Sequence, residues 1–394
     1  MIKFSKIILL TLLVNVSLSA HSQINIYKHF IYQGVNRSYI VHLPYKIYPS
    51  LHLPVVFVLH GSGGNAANIK VKTHYDDISD TANFVVCYPN AYDGWADGMM
   101  ASAADSAGID DVGFISAIID TLIDLFFINP ERIYAQGLSS GGFMCQRLAC
   151  DLSDRIAAVA TVAATFAESM TGQCNPLRPV PVMLIHGTND PDVPEAGGLA
   201  AGLFPVLSTS STVNFWKEKN GSCPASPQII FIPQLGLSPF TSVMLKKYSF
   251  CNDSSEILWY SVIGGGHNWP GIQPVGSGTG INLDINAGIE GWKFFKRHHL
   301  TPLIVTSVPD NIKTGDLKIS VDSNDNVLGI FFNGNEKWAR LSILSSSGKI
   351  IRSYYFSNLT ESAQLDIPLI PSGIYFISVE TDLATYVKKL AIIR

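Results

Sequence analysis

Four short apolar runs, each nearly unbroken, constrain this chain more than any other feature. They are Pro54-Val55-Val56-Phe57-Val58-Leu59, Phe84-Val85-Val86-Cys87-Tyr88, Arg132-Ile133-Tyr134-Ala135 and Val182-Met183-Leu184-Ile185. A strand with one wet face alternates apolar and polar residues, so runs without alternation suit parallel strands buried on both faces. Between the second and third runs, Val112, Ile115, Ile118, Ile119, Leu122, Ile123 and Phe126 recur at helical spacing, with Asp110 or Asp111 where an N-cap stands. A further helix is expected from Asp284 to His298, with Ile289, Trp292 and Phe295 on one side. Strands alternating with helices predict an α/β fold with a mostly parallel central sheet. The 394 residues, 47% hydrophobic and 15% charged, suit a folded chain of two domains with one large core. A net charge of −4 with no basic run argues against a nucleic-acid partner.

The two ends depart from this pattern. Lys3 and Lys6 precede the apolar run from Ile7 to Val14, and small residues follow at Ser19, Ala20 and Ser22. That order predicts a secretory signal peptide over 1–22, cut after Ser22 or, alternatively, after Ala20. The run is shorter than the ~20 residues a membrane span needs, and no later stretch has 18 consecutive apolar residues. The mature chain is therefore expected outside the cytoplasm, with no membrane span. Six cysteines in an exported chain allow fifteen complete pairings, and the absence of a CxxC pair removes support for a zinc ribbon. After Leu300, residues 301–315 read as a linker. Seven short runs follow, Leu317–Val321, Val327–Phe332, Ala339–Leu344, Ile350–Phe356, Ala363–Ile367, Ile374–Val379 and Tyr386–Ile392. They predict a small all-β sandwich over 316–394. This region has neither cysteine nor histidine, which leaves the chemistry to residues 23–300.

Within that domain, Gly137-Leu138-Ser139-Ser140-Gly141 follows a predicted strand and opens a predicted helix. In a nucleophile elbow the turn is so tight that residues two before and two after the serine must be small. Ser139 meets that condition with Gly137 and Gly141, whereas Ser140 has Leu138 two residues before it. A serine hydroxyl needs an adjacent base. His267, in Gly264-Gly265-Gly266-His267-Asn268-Trp269-Pro270 after the run Ile257–Ile263, is the base of choice; His60 and His186, each in a His-Gly pair, read as turn-shaping. The segment after the last of the four runs offers Asp190 as the acid that orients the imidazole, with Asp192 in reserve. The order Ser139, Asp190, His267 is that of α/β-hydrolases. His60-Gly61-Ser62-Gly63-Gly64 leaves an early strand, so the backbone N–H groups of Ser62 and Ser140 are the expected oxyanion donors. No metal or organic cofactor is called for.

Taken together, Leu59-His60-Gly61, Asp110-Asp111-Val112-Gly113-Phe114, Arg132-Ile133-Tyr134 leading into Gly137–Gly142, Leu148-Ala149-Cys150, His186-Gly187-Thr188 with Asp190 and Val193-Pro194, and Gly264–Pro270 resemble the secreted polyhydroxybutyrate depolymerase and feruloyl or acetylxylan esterase-like α/β-hydrolases. The resemblance implies Ser139, Asp190 and His267 as the triad of a secreted serine esterase. Its substrate would be a polyester or an acyl group on a polysaccharide. The resemblance also suggests the disulfides Cys223–Cys251 and Cys150–Cys174, leaving Cys87 and Cys145 as buried thiols. Trp269 and Trp95 are candidate aromatic walls for the substrate. Gly348-Lys349-Ile350, Ile370-Pro371-Ser372-Gly373-Ile374-Tyr375-Phe376 and the basic ending from Lys388-Lys389 to Arg394 resemble the type A sorting domain of the type IX secretion system. A carbohydrate-binding sandwich is the rival, but the segment carries a single tryptophan, Trp338. The alternative to an enzyme is a surface binding protein on an inactive hydrolase scaffold. That would require a spoiled triad position, and the sequence shows none.

Overall fold

The computed structural model describes residues 24–45, 52–126, 128–238, 240–273 and 280–300, together with the strands of the C-terminal region. The expected signal peptide and Trp338 lie outside the described residues. An antiparallel hairpin of β1 (Ile24–Tyr32) and β2 (Val35–Leu43) leads into β3 (Leu53–Leu59). Then come α1 (Ala66–Thr73), α2 (Tyr75–Ala82), β4 (Val85–Pro89), α3 (Ala103–Ser106), α4 (Asp111–Phe126) and β5 (Ile128–Leu138). The middle holds α5 (Ser140–Asp151), β6 (Ala158–Val162), β7 (Val182–Gly187), a small hairpin of β8 (Gly198–Ala200) and β9 (Phe204–Val206), and α6 (Thr209–Asn220). The domain closes with β10 (Gln228–Ile232), β11 (Ser242–Tyr248), β12 (Ile257–Ile263) and α7 (Ala287–Phe295). One ten-stranded sheet takes the order β1-β2-β4-β3-β5-β6-β7-β12-β11-β10. The six strands from β4 to β12 in that order are parallel.

The unbroken apolar runs occupy the centre of this sheet and divide between its faces by alternation. Val55, Phe57 and Leu59 belong to one buried cluster, Val56 and Val58 to the other; Val182 and Leu184 separate from Met183 and Ile185 in the same way. Phe114, Phe143 and Trp216 of α4, α5 and α6 cover the first face, while Ile69, Phe294 and Phe295 of α1 and α7 cover the second. Asp110 caps α4, accepting from the Gly113 N–H at 2.7 Å, while Asp111 is buried against Arg37 and accepts from the Ala96 N–H at 2.8 Å. The last helix is shorter than the sequence pattern predicts. Asn286 caps it by accepting from the Ile289 N–H, and Ile289 itself faces solvent, because Phe294 and Phe295 supply the buried side.

Two disulfides, Cys150–Cys174 and Cys223–Cys251, close loops of 24 and 28 residues, and the thiols of Cys87 and Cys145 stay buried. The stretch read as a linker is not strand-free. Within it, β13 (Ile304–Ser307) pairs with the end of the chain, a long-range contact that no local pattern reveals. Beyond it lie β14 (Leu317–Asp322), β15 (Val327–Phe332), β16 (Ala339–Ser345), β17 (Ile350–Phe356), β18 (Ser362–Asp366), β19 (Gly373–Thr381) and β20 (Thr385–Ile393). They form two antiparallel sheets, β13-β20-β19-β16-β17 and β14-β15-β18. Leu341, Ile343, Ile377 and Val379 of the larger sheet are buried.

Just before β12 starts, buried Glu256 accepts from the Arg297 guanidinium and from His298 Nε2 at 3.1 Å, with Lys247 Nζ 3.3 Å away. Burial alone would raise this carboxyl, but the hydrogen bonds and charge of His298 and Arg297 outweigh burial and hold it at about 2. Burial pulls His298 below its ordinary value, so Arg297 and Lys247 carry the balancing charge near neutral pH. Because the folded carboxyl is depressed, its stabilisation is present above the unfolded value, ~4.3, and is lost as pH falls through about 2. Urea unfolding of the wild type and Glu256→Gln should differ by roughly 2–3 kcal/mol at pH 7. That gap should close as the pH is lowered from ~4.5 toward 2.

Candidate active site

Ser139 stands where β5 ends and α5 begins, with φ 55° and ψ −123°, a backbone conformation rare for a residue with a side chain. Steric crowding accounts for the two flanking glycines. A Cβ on Gly137 would meet the Gly141 carbonyl oxygen at 2.2 Å, and one on Gly141 would meet the carbonyl oxygens of Leu59 and His60 at 2.4 and 2.6 Å. The turn is thus pressed against the end of β3. The N–H groups of Gly142 and Phe143 donate to the Ser139 carbonyl. The Ser140 N–H lies in the first turn of α5, where the helix itself offers no acceptor.

The segment after β3 lies against the same turn. Gly61 is the residue that touches it, since a Cβ there would sit 3.2 Å from Ser139 Cβ, and Ser62 follows on an exposed turn closed by Gly64 N–H donating to Gly61 O at 3.0 Å. His60 shapes this turn. Its Nδ1–H donates to Gly61 O at 2.9 Å, and its Nε2 accepts from the Ala91 N–H at 3.1 Å. Burial lowers the His60 pKa, in keeping with a neutral ring that donates on one side and accepts on the other.

Asp190 and His267 approach from the ends of β7 and β12, which are neighbouring parallel strands. Their loops are tied by hydrogen bonds to one another. Asn189 N–H donates to Gly265 O at 2.8 Å and Gly264 N–H to Thr188 Oγ1 at 2.9 Å. Gly187 lies so close to Gly265 that a Cβ would meet its carbonyl oxygen at 2.4 Å. On this frame His267 Nδ1–H donates to Asp190, 2.8 Å from Oδ2 and 3.0 Å from Oδ1. Asp190 Oδ1 also accepts from the N–H groups of Asp192 and Val193. Burial works to raise the Asp190 carboxyl, but the bond from His267, its charge and the Val193 N–H prevail, and the group lies below its ordinary value. Asp192, the reserve candidate, is exposed, and its backbone N–H donates to Asp190 Oδ1 at 2.9 Å. Among the described residues, Asp190, Asp192 and His267 are the one group whose side chains could converge on a metal ion, their ligand atoms lying within 4.8 Å of one another. Two of those three are already bonded to each other.

The two tryptophans are a correction to the sequence reading. Trp269 is 2% exposed and packs edge-on against Tyr75 in the core, and Trp95 is fully buried, its Nε1–H donating to His60 O at 2.8 Å. Neither forms an open wall; both brace the loops that carry His267 and Gly61. Thr188 and the Ala91 N–H are site-building groups that the sequence did not single out. Each acts through a contact far along the chain, and only Thr188, between Gly187 and Asp190, stood in a segment already marked.

A sheet of this order, with a serine at the strand–helix elbow after β5, has the architecture of the α/β-hydrolase fold. Comparison with known proteins adds two findings. Residues 317–393 match the family described as the secretion system C-terminal sorting domain, which marks the chain for export. The chain is also 31% identical over 158 residues to the bifunctional acetylxylan esterase/xylanase XynS20E of Neocallimastix patriciarum, covering 40% of this chain and 22% of that protein. It is 32% identical over 164 residues to feruloyl esterase B of Piromyces equi, covering 40% and 29%. Feruloyl esterase C of Emericella nidulans is 27% identical over 271 residues, covering 66% of this chain and 86% of that protein. The chain thus spans less than a third of the first two relatives. No helix among the described residues is long and apolar enough to cross a membrane.

The glycine contact between the two loops is testable. Gly187→Ala should lower the melting temperature by roughly 5 °C, since relieving a backbone clash costs on the order of 2 kcal/mol. Gly172→Ala, where nothing lies within 4 Å, should melt like the wild type.

Proposed function

We propose that the chain is an exported serine esterase that cleaves carboxylic esters through an acyl-enzyme, acting on acyl groups attached to polysaccharide. The hydrogen bond from His267 Nδ1 to Asp190, together with the strand–helix elbow that carries Ser139, supports this reading most strongly. It leaves His267 Nε2 free to accept a proton. In the proposed reaction Ser139 Oγ attacks the ester carbonyl while His267 takes the hydroxyl proton and Asp190 stabilises the imidazolium. The N–H groups of Ser62 and Ser140 receive the oxyanion. The alcohol leaves with the proton from His267, and water, activated by the same ring, releases the acid. The similarity to feruloyl and acetylxylan esterases supports the substrate class.

The same reading assigns 1–22 to a signal peptide, 23–300 to catalysis, and 316–394 to recognition by the type IX secretion machinery. The sorting-domain match supports that last assignment.

Hydrolysis of short p-nitrophenyl esters checks the mechanism. Ser139→Ala should reduce kcat by ~10⁴-fold or more, and Asp190→Asn by about 10⁴-fold, without loss of fold. Retained activity in folded Ser139→Ala would refute the nucleophile and favour a binding protein on a hydrolase scaffold. Product analysis separates the substrates: free ferulate or acetate from plant or algal polysaccharide is expected, whereas hydroxybutyrate from the polyester with no release from polysaccharide would redirect the assignment.

A further inference from the structure

His186, the penultimate residue of β7, has no part in the proposed reaction, yet it is 1% exposed and lies beside the acid. Its Nε2–H donates to the Val193 carbonyl oxygen at 2.8 Å. A carbonyl oxygen only accepts, so Nε2 carries the proton, and Nδ1 is buried with no hydrogen-bond partner among the described residues. Burial lowers the pKa of this imidazole, which favours the neutral ring with a single proton. An unpaired buried nitrogen is unfavourable, and an aliphatic side chain would avoid it. The other nitrogen accounts for a histidine here, because Val193 is gripped from both sides. Its N–H donates to Asp190 Oδ1 at 2.8 Å while its carbonyl receives His186. The same Nε2 lies 3.7 Å from Asp190 Oδ2, beyond hydrogen-bond reach but near enough for the N–H dipole to favour the carboxylate.

We infer that His186 is a positioning residue: through Val193 it fixes the orientation in which Asp190 meets His267. The inference rests on the esterase reading, because the orientation matters only if His267 works as a base. A carboxylate displaced by a fraction of an ångström weakens the transition state more than substrate binding.

Three substitutions in the full-length protein test it, with kcat and KM on a p-nitrophenyl ester measured beside thermal melts. His186→Gln places an amide N–H near the position of Nε2, His186→Asn places its amide near the Nδ1 position and cannot reach Val193, and His186→Leu removes the donor. Asn and Leu should lower kcat about 10–100-fold with KM within twofold, while Gln should return to within about fivefold of wild type. Unchanged kcat in folded Asn and Leu variants would overturn the inference, as would equal impairment of Gln and Asn. A second readout needs no substrate. The proton bridging His267 and Asp190 should give a slowly exchanging, downfield NMR signal in wild type and His186→Gln. In His186→Asn that signal should broaden, and an unchanged signal would count against the role. A folded wild type that shows the bridging proton but cleaves no ester would instead overturn the esterase reading, and the catalytic role of His186 with it.

Discussion

The close approach of the β5–α5 turn to the end of β3 governs the rest of the site. With Gly141 against the carbonyls of Leu59 and His60, and Gly137 against Gly141, no larger residue fits at either glycine. The backbone between them must then turn within one residue, and Ser139 takes a positive φ. Such a conformation persists only where the surroundings hold it. Here they are the two apolar clusters on either face of the sheet, which fix β3 and β5 side by side. The same contact brings Gly61 against Ser139, so one packing constraint aligns the serine and the turn proposed to receive the oxyanion.

The second half of the site is tied together by different means. Asp190 and His267 stand on loops of neighbouring strands, and hydrogen bonds between those loops, one backbone to backbone and one to the Thr188 hydroxyl, tie them together. The carboxylate is then held by two N–H groups and by the imidazole. A charge buried to this degree is stable only when its lone pairs are satisfied. That arrangement leaves Asp190 ionised at neutral pH, as an acid that orients a histidine must be.

Much of this was legible in the sequence because it follows local rules. Unbroken apolar runs mark the central parallel strands, and the Gly137–Ser139–Gly141 spacing marks the elbow, since both reflect sterics within a few residues. Ser139, Asp190 and His267 could be singled out because each follows closely on an apolar run. What the sequence could not convey was direction and distant pairing. Trp269 stands two residues from His267, but nothing local says that its ring turns inward to Tyr75. The pairing of β13 with β20 joins residues almost ninety positions apart, so that segment read as linker. His60 and His186 look alike as His-Gly pairs. Only their partners, Ala91 for one and Val193 for the other, distinguish a loop brace from a support for the acid.

The central claim is that Ser139 is the nucleophile. Treating the folded protein with a fluorophosphonate and mapping the modified peptide by mass spectrometry tests it most directly. One adduct per chain, on Ser139, and its absence after prior unfolding are the results expected. No adduct on the folded protein, or an adduct on another serine, would contradict the account.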